Sequence, residues 1–232
     1  MVPELELKLA MLWWRILHQE PRCLFGTEAA KLRNSSWGDE IPQPGYVGGE
    51  YESHGIAFVS MNPGGSQGDR PGSTDEKQLV ALRHFRECAE VDAPHAFPKV
   101  MRVLEEVMPT WSIYRNFVAP VLQCARLRLS QVAYLNLFKW RTQQGAALER
   151  LYELSWKHHT REQFNLLEPG FVISIGVGVG RQFQRLDSSS TEVHAIPRIR
   201  NNIGRAGRQK IIEICARLAT GRQERRPTTG LS

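Results

Sequence analysis

Three polar residues stand in or just after short apolar runs, where a side chain can meet a ligand while its backbone is held by a core. Asn62 follows Gly55-Ile-Ala-Phe-Val-Ser-Met61 and heads an Asn-Pro-Gly turn. Asn136 closes Gln131-Val-Ala-Tyr-Leu-Asn136, and His194 lies in Thr191-Glu-Val-His-Ala-Ile196. A carboxamide carries two N–H donors and a carbonyl acceptor, so Asn136 has the groups needed to read the edge of a nucleobase. The imidazole of His194 could polarise a carbonyl or move a proton. At Asn62 the following Pro63 fixes φ and Gly64 permits positive φ, which turns the backbone sharply and bares its N–H groups. Each residue also has a plain structural reading: a simple turn for Asn62, a cap for Asn136 and a satisfied core imidazole for His194. No carboxylate closes any of these runs, so a two-carboxylate hydrolysis scheme is not evident.

The elements that would position these residues follow from periodicity. Four apolar runs of strand length, 55–61, 131–136, 171–176 and 191–196, alternate with helical patterns. That alternation predicts an α/β fold, a three-layer α/β/α arrangement around a central, mainly parallel four-stranded sheet. In such sheets ligands bind outside the carboxyl ends of the strands. The rule brings Asn62, Asn136, the turn at Gly176 and His194 to one edge. Helices are expected over Met1–Gln19, from Ser73 or Thr74, over Phe97–Val107, across Ile113–Ala125 with a kink at Pro120, over Ala146–Leu167, Val179–Leu186 and Ala206–Leu218. His158 and His159 fall in the long polar helix and are expected to be solvated. The Gly/Pro-rich stretch from Arg33 to Gly55 shows little periodicity and reads as a long functional loop.

The chain has 232 residues, 41% hydrophobic and 23% charged, with 30 Lys and Arg against 24 Asp and Glu. This is the composition of a packed domain and not of a disordered chain. No apolar run reaches the ~20 residues that a membrane span requires. Met1–Gln19 is amphipathic and reads as a docking helix, not a signal peptide. Residues 1–221 are expected to form one domain and 222–232 a basic, flexible tail. The last 52 residues hold eleven Lys and Arg against four acids, and so carry the whole positive excess. A basic third of this kind suits a polyanionic partner, although a solvated helix face would have the same composition. The four cysteines, Cys23, Cys88, Cys124 and Cys215, form no C-x-x-C pair and are expected to be reduced thiols.

Ser60-Met61-Asn62-Pro63-Gly64 resembles the GMNPG and GINPG motifs of the uracil-DNA glycosylase superfamily, nearest its mismatch-specific and single-strand-selective branches. Asn136-Leu137 resembles the strand-ending Asn that reads the base in that superfamily. Leu135-Asn-Leu-Phe-Lys-Trp-Arg141 is similar to the N-x-x-K-x-R segment of its iron–sulfur branch, and His194-Ala-Ile-Pro-Arg198 to its final HPSP(L/R) motif. Together the motifs span residues 55 to 200.

The resemblance implies a monofunctional DNA glycosylase that hydrolyses the N-glycosidic bond of a flipped-out uracil or other modified pyrimidine. It implies catalytic roles for Asn62, which would orient the water, and His194, which would stabilise charge on the departing base. Asn136, Pro63, Gly64 and Ser60 would form the base site; Arg198, Ile199, Arg200 and Lys139 would hold DNA. Asp69 is an outside candidate for a base. No cofactor and no metal cluster are implied, since Trp140 stands where the iron–sulfur branch has a cysteine. The expected partner is double- or single-stranded DNA, and the expected protein a cytoplasmic monomer with no membrane partner.

The sequence departs from the pattern at Ser60, in place of the first Gly, and at Ala195 and Ile196, in place of Pro-Ser. No aromatic follows Asn-Pro-Gly-Gly, which leaves Tyr46 or Phe58 as stacking candidates. These departures motivate two alternatives. One is a glycosylase for a bulky hypermodified pyrimidine of foreign DNA; the other is a non-catalytic nucleic-acid-binding module with a degenerate pocket.

Overall fold

In the computed structural model, which describes residues 1–33, 40–63, 76–143, 148–187, 191–199 and 202–224, all four expected strands form. They are β2 (Ile56–Ser60), β3 (Val132–Asn136), β4 (Phe171–Ile175) and β5 (Glu192–Ile196). Every residue of β2, β3 and β4 is buried, which is why these strands read as unbroken apolar runs. The sheet has a fifth strand, β1 (Gly45–Val47), and the order β1-β3-β2-β4-β5. β1 corrects the expectation of four strands: it lies within the Gly/Pro-rich stretch and pairs antiparallel to β3, while the other pairs are parallel. At three residues it is too short to show a period. Gly45 has φ +120°, and a Cβ there would meet the Tyr134 carbonyl at 2.4 Å, so the close pairing requires glycine.

The helices are α1 (Pro3–His18), α2 (Pro21–Phe25), α3 (Glu76–Glu87), α4 (Ala93–Val107), α5 (Ala119–Ala125), α6 (Glu149–Ser155), α7 (Arg161–Leu167), α8 (Val177–Leu186) and α9 (Arg205–Glu224). π-helical turns at Tyr114–Val118 and Trp156–Thr160 lead into α5 and join α6 to α7. α1 begins with Pro3 at its first position, has Glu4 and Glu6 in the first turn and Arg15 and His18 in the last, all favourable to the helix dipole. Its apolar face (Leu9, Leu12, Trp13, Ile16, Leu17) is buried. Trp13 meets Phe97 of α4 edge-on at 5.7 Å, while Arg15 reaches Glu162 of α7 at 2.6 Å. α9 runs to Glu224, past the expected boundary at 221; the tail from 225 to 232 lies outside the described residues. No described helix is long and apolar enough to cross a membrane.

Strand alternation divides the sheet into two faces. Phe58, Tyr134, Asn136 and His194 share one, and Ala57, Ala133, Ser174 and Ala195 the other. α8 lies against the second, where a Cβ on Gly180 would meet the Ser174 hydroxyl at 2.6 Å. Phe164 of α7 packs on Phe183 of α8 with ring centroids 4.8 Å apart, placing α7 in that layer too. α9 covers the first face, through the ion pair of Arg217 with Glu192, and a disulfide between Cys124 and Cys215 ties α5 to it. That disulfide corrects the expectation of four reduced thiols. The two cysteines are 91 residues apart in sequence, but α5 and α9 pack side by side with these Cα atoms 6.0 Å apart, the spacing of a bridge. Cys23 and Cys88 are free.

This layering decides where a site can form. The connection after β2 carries α3 to α5, and the one after β3 carries α6 and α7, so the two leave toward opposite faces. Neighbouring strands whose connections part in this way open a crevice between their carboxyl ends.

Candidate functional site

That crevice is a cavity of about 570 Å³, within the range of small-molecule sites. Asn62 and Pro63 enter it from the end of β2, Ser60 and Asn136 from the last residues of β2 and β3, and Arg198 from just beyond β5. Backbone pairing continues past both strands, with Leu137 N–H on the Ser60 carbonyl and Phe138 N–H on the Met61 carbonyl, each at 2.9 Å. The two asparagines therefore sit on a braced edge. Asn62 Nδ2 donates to Thr142 Oγ1 at 3.1 Å, which points its amide oxygen away from that donor. Asn136 Nδ2 donates to the main-chain carbonyl of Gln43 at 3.4 Å, and Asn136 Oδ1 accepts the Ser60 hydroxyl.

Arg198 lies along the turn after β4: a Cβ on Gly176, at φ +111°, would stand 3.3 Å from Arg198 Nε. The guanidinium is close enough to Tyr134 and Tyr152 to favour their ionised forms, against the burial that raises both phenols and pushes Tyr134 up to about 12. Arg33, Arg115 and Arg141 line the same cavity, and among the described residues no carboxylate does. The site is thus lined by amides, hydroxyls and guanidinium groups, a chemistry suited to an anionic ligand with hydrogen-bonding edges.

Three candidates are not where the sequence suggests. His194 is the third of the five residues of β5, not its end, and alternation puts it on the face of Glu192. Its ring stacks on Phe171 with centroids 4.2 Å apart, and its Nε2 lies 2.8 Å from Glu192 Oε1. Burial lowers its pKa, with Glu192 opposing in part. It lines a separate groove with Gly55, Phe171, Lys210 and Arg217, near the amino ends of the strands. The expected catalytic place of His194 is corrected accordingly.

Lys139 is also corrected: it is 0% exposed and donates its ammonium hydrogen bond to the Asn136 carbonyl, so it cannot lie on phosphate. Burial holds its pKa well below the usual lysine value. Tyr46 and Phe58, the stacking candidates, are buried in the core, and neither lines the cavity. The aromatics that do are Trp111 and Tyr134, with ring centroids 6.1 Å apart. Trp111 lies in a segment whose sequence carries no motif; only the packing of α4 and the following turns brings it here. Ile199 is 70% exposed beside the cavity residue Arg198, and its backbone pairs with Asn202. Gly64, Asp69 and Arg200 lie outside the described residues.

His159 is a further correction, since it is 1% exposed and not solvated. It packs on Trp140 at 5.8 Å, and burial, reinforced by the charge of Lys139, lowers its pKa to about 3. Between pH 6.5 and about 3 the unfolded chain binds a proton at this position that the folded chain refuses. Stability is therefore expected to fall as pH drops through that window, by up to about 1.4 kcal/mol per pH step from this group. Urea unfolding across that range, with wild type and His159→Phe compared, checks it; the variant should show the shallower loss.

No protein-family model matches the chain, and no curated protein matches its sequence.

Proposed function

We propose that the protein is a DNA glycosylase that hydrolyses the N-glycosidic bond of a flipped-out uracil or other modified pyrimidine. The observation that carries this reading is the convergence of Asn62, Asn136 and Arg198, from three strand ends, on one arginine-lined cavity. The order and strand-end setting of the Ser60–Gly64 and Asn136 motifs, which resemble the uracil-DNA glycosylase superfamily, support the same reading.

In this mechanism the nucleotide leaves the stack, or is presented on a single strand, and its base enters the cavity. Asn136 bonds the base edge, and Trp111 and Tyr134 provide aromatic surface. As the bond to the sugar breaks, negative charge grows on the base and positive charge on the sugar. Arg198 stabilises the former, the electrostatic contribution that the displaced His194 does not supply. Asn62, its Nδ2 held by Thr142, accepts a hydrogen bond from the attacking water with its amide oxygen. A neutral amide positions that water without accepting its proton. Exposed Ile199 suits a wedge into the vacated stack, and the surrounding arginines suit phosphate.

The cavity volume favours a second reading within the same chemistry. At about 570 Å³ it has room beyond an unmodified pyrimidine, as a bulky hypermodified base would require. Oligonucleotides carrying uracil, or pyrimidines with progressively larger 5-substituents, separate the readings. Release of free base with an alkali-labile abasic site is expected, fastest on the preferred base. Salt-sensitive binding without release from any of them would instead identify a non-catalytic nucleic-acid-binding module.

A further inference from the structure

Asn136 does not face the cavity as a free amide. Ser60 is 2% exposed, is paired in register with Asn136, and gives its hydroxyl proton to Asn136 Oδ1. The Tyr134 hydroxyl is hydrogen-bonded to Ser60 in turn. A serine hydroxyl has one proton, so once Ser60 donates to Asn136, Tyr134 must be the donor to Ser60. On the other side Asn136 Nδ2 donates to the Gln43 main-chain carbonyl, which can only accept. The Gln43 main chain is itself fixed, its N–H donating to the Lys139 carbonyl at 2.7 Å. The hydrogen bonds thus run one way: Tyr134 to Ser60, Ser60 to Asn136, Asn136 to Gln43.

We propose that Ser60, through this chain, fixes which way round the Asn136 carboxamide faces, and so selects bases with a carbonyl oxygen over bases with an amino group at that edge. The proposal rests on the glycosylase reading above. With the amide fixed, one Nδ2 hydrogen and one lone pair of Oδ1 are left for a ligand. They match an edge with a carbonyl acceptor beside a ring N–H, the pattern of uracil and 5-substituted uracils. Cytosine offers the reverse, an amino donor beside a bare ring nitrogen. It would require the amide turned through 180°, which would set Asn136 Oδ1 against the Gln43 carbonyl. Ser60 is therefore a positioning residue, acting on the base through Asn136.

Single-turnover base release from two oligonucleotides, identical except for uracil or cytosine at one position, tests this. Wild type is expected to prefer uracil strongly. Ser60→Ala should narrow the uracil-to-cytosine ratio by about ten-fold, the value of one hydrogen bond. Ser60→Thr, which keeps the hydroxyl, should hold the ratio near that of wild type. An unchanged ratio in folded Ser60→Ala, or an equal narrowing in Ser60→Thr, overturns the inference. Should Ser60→Ala fail to fold, Tyr134→Phe removes the donor to Ser60, and an unchanged ratio there overturns it equally. Absence of release by wild type from either oligonucleotide is a different failure: it strikes the glycosylase reading itself.

Discussion

Asn62→Ala is expected to lower the single-turnover rate of base release by about 10²–10³-fold, the usual cost of losing a preorganised polar group at a reacting centre. Asn62 is fixed from two directions: Pro63 sets the turn that follows, and Thr142 Oγ1 holds the amide nitrogen at 3.1 Å. Its oxygen is left in one place, so a water bonded to it is positioned before the bond to the sugar breaks. Alanine keeps the turn and removes that oxygen, so the rate should fall while DNA affinity stays close to wild type. His194→Ala is the contrasting variant. Its ring contacts Phe171 and Glu192 near the other end of the strands, and its loss should change release by less than about two-fold, the scale of an indirect effect. Equal losses in both variants would mean that His194 acts at the reacting centre after all.

The largest effect on stability is expected at Lys139. Its side chain is fully buried, its ammonium group bonds the carbonyl of Asn136, and its main-chain carbonyl accepts from Gln43. Lys139→Ala removes the donor, leaves the Asn136 carbonyl unsatisfied and opens a cavity, with an expected cost of about 3–5 kcal/mol in urea unfolding. Lys139→Met fills the space without the charge and avoids its desolvation, so it should recover more than half of that loss. The salt dependence of DNA binding should be the same in Lys139→Met as in wild type. A phosphate contact would instead lower the slope by about one counterion.

The strands were legible because β2, β3 and β4 are buried on both faces, and continuous burial leaves a continuous apolar run. From those runs the strand-end rule correctly drew Asn62 and Asn136 to one cavity, and the motif after β5 added Arg198. β1 was not legible, because three residues around a positive-φ glycine carry no period and owe their pairing to β3. His194 was misread because β5 is an edge strand whose half-buried residues mix polar and apolar types; its end is marked by Ile196 and Pro197 and not by the histidine. Lys139 was misread for a different reason. A lysine three residues past a strand normally reaches water, but here the chain continues pairing through Leu137 and Phe138 and carries Lys139 into the interior. Trp111 and the Cys124–Cys215 bridge depend on contacts between segments distant in sequence, for which local patterns hold no record.

The central claim is that a base held between Asn62 and Asn136 is cut from its sugar. Chromatographic assay of free base, with excess protein over an oligonucleotide carrying a single uracil, measures that step directly. The account predicts free uracil together with an abasic strand that breaks on heating in alkali, and a loss of both products with Asn62→Ala. Intact oligonucleotide after prolonged incubation of folded, DNA-binding wild-type protein, with uracil and with the bulkier pyrimidines alike, would contradict it.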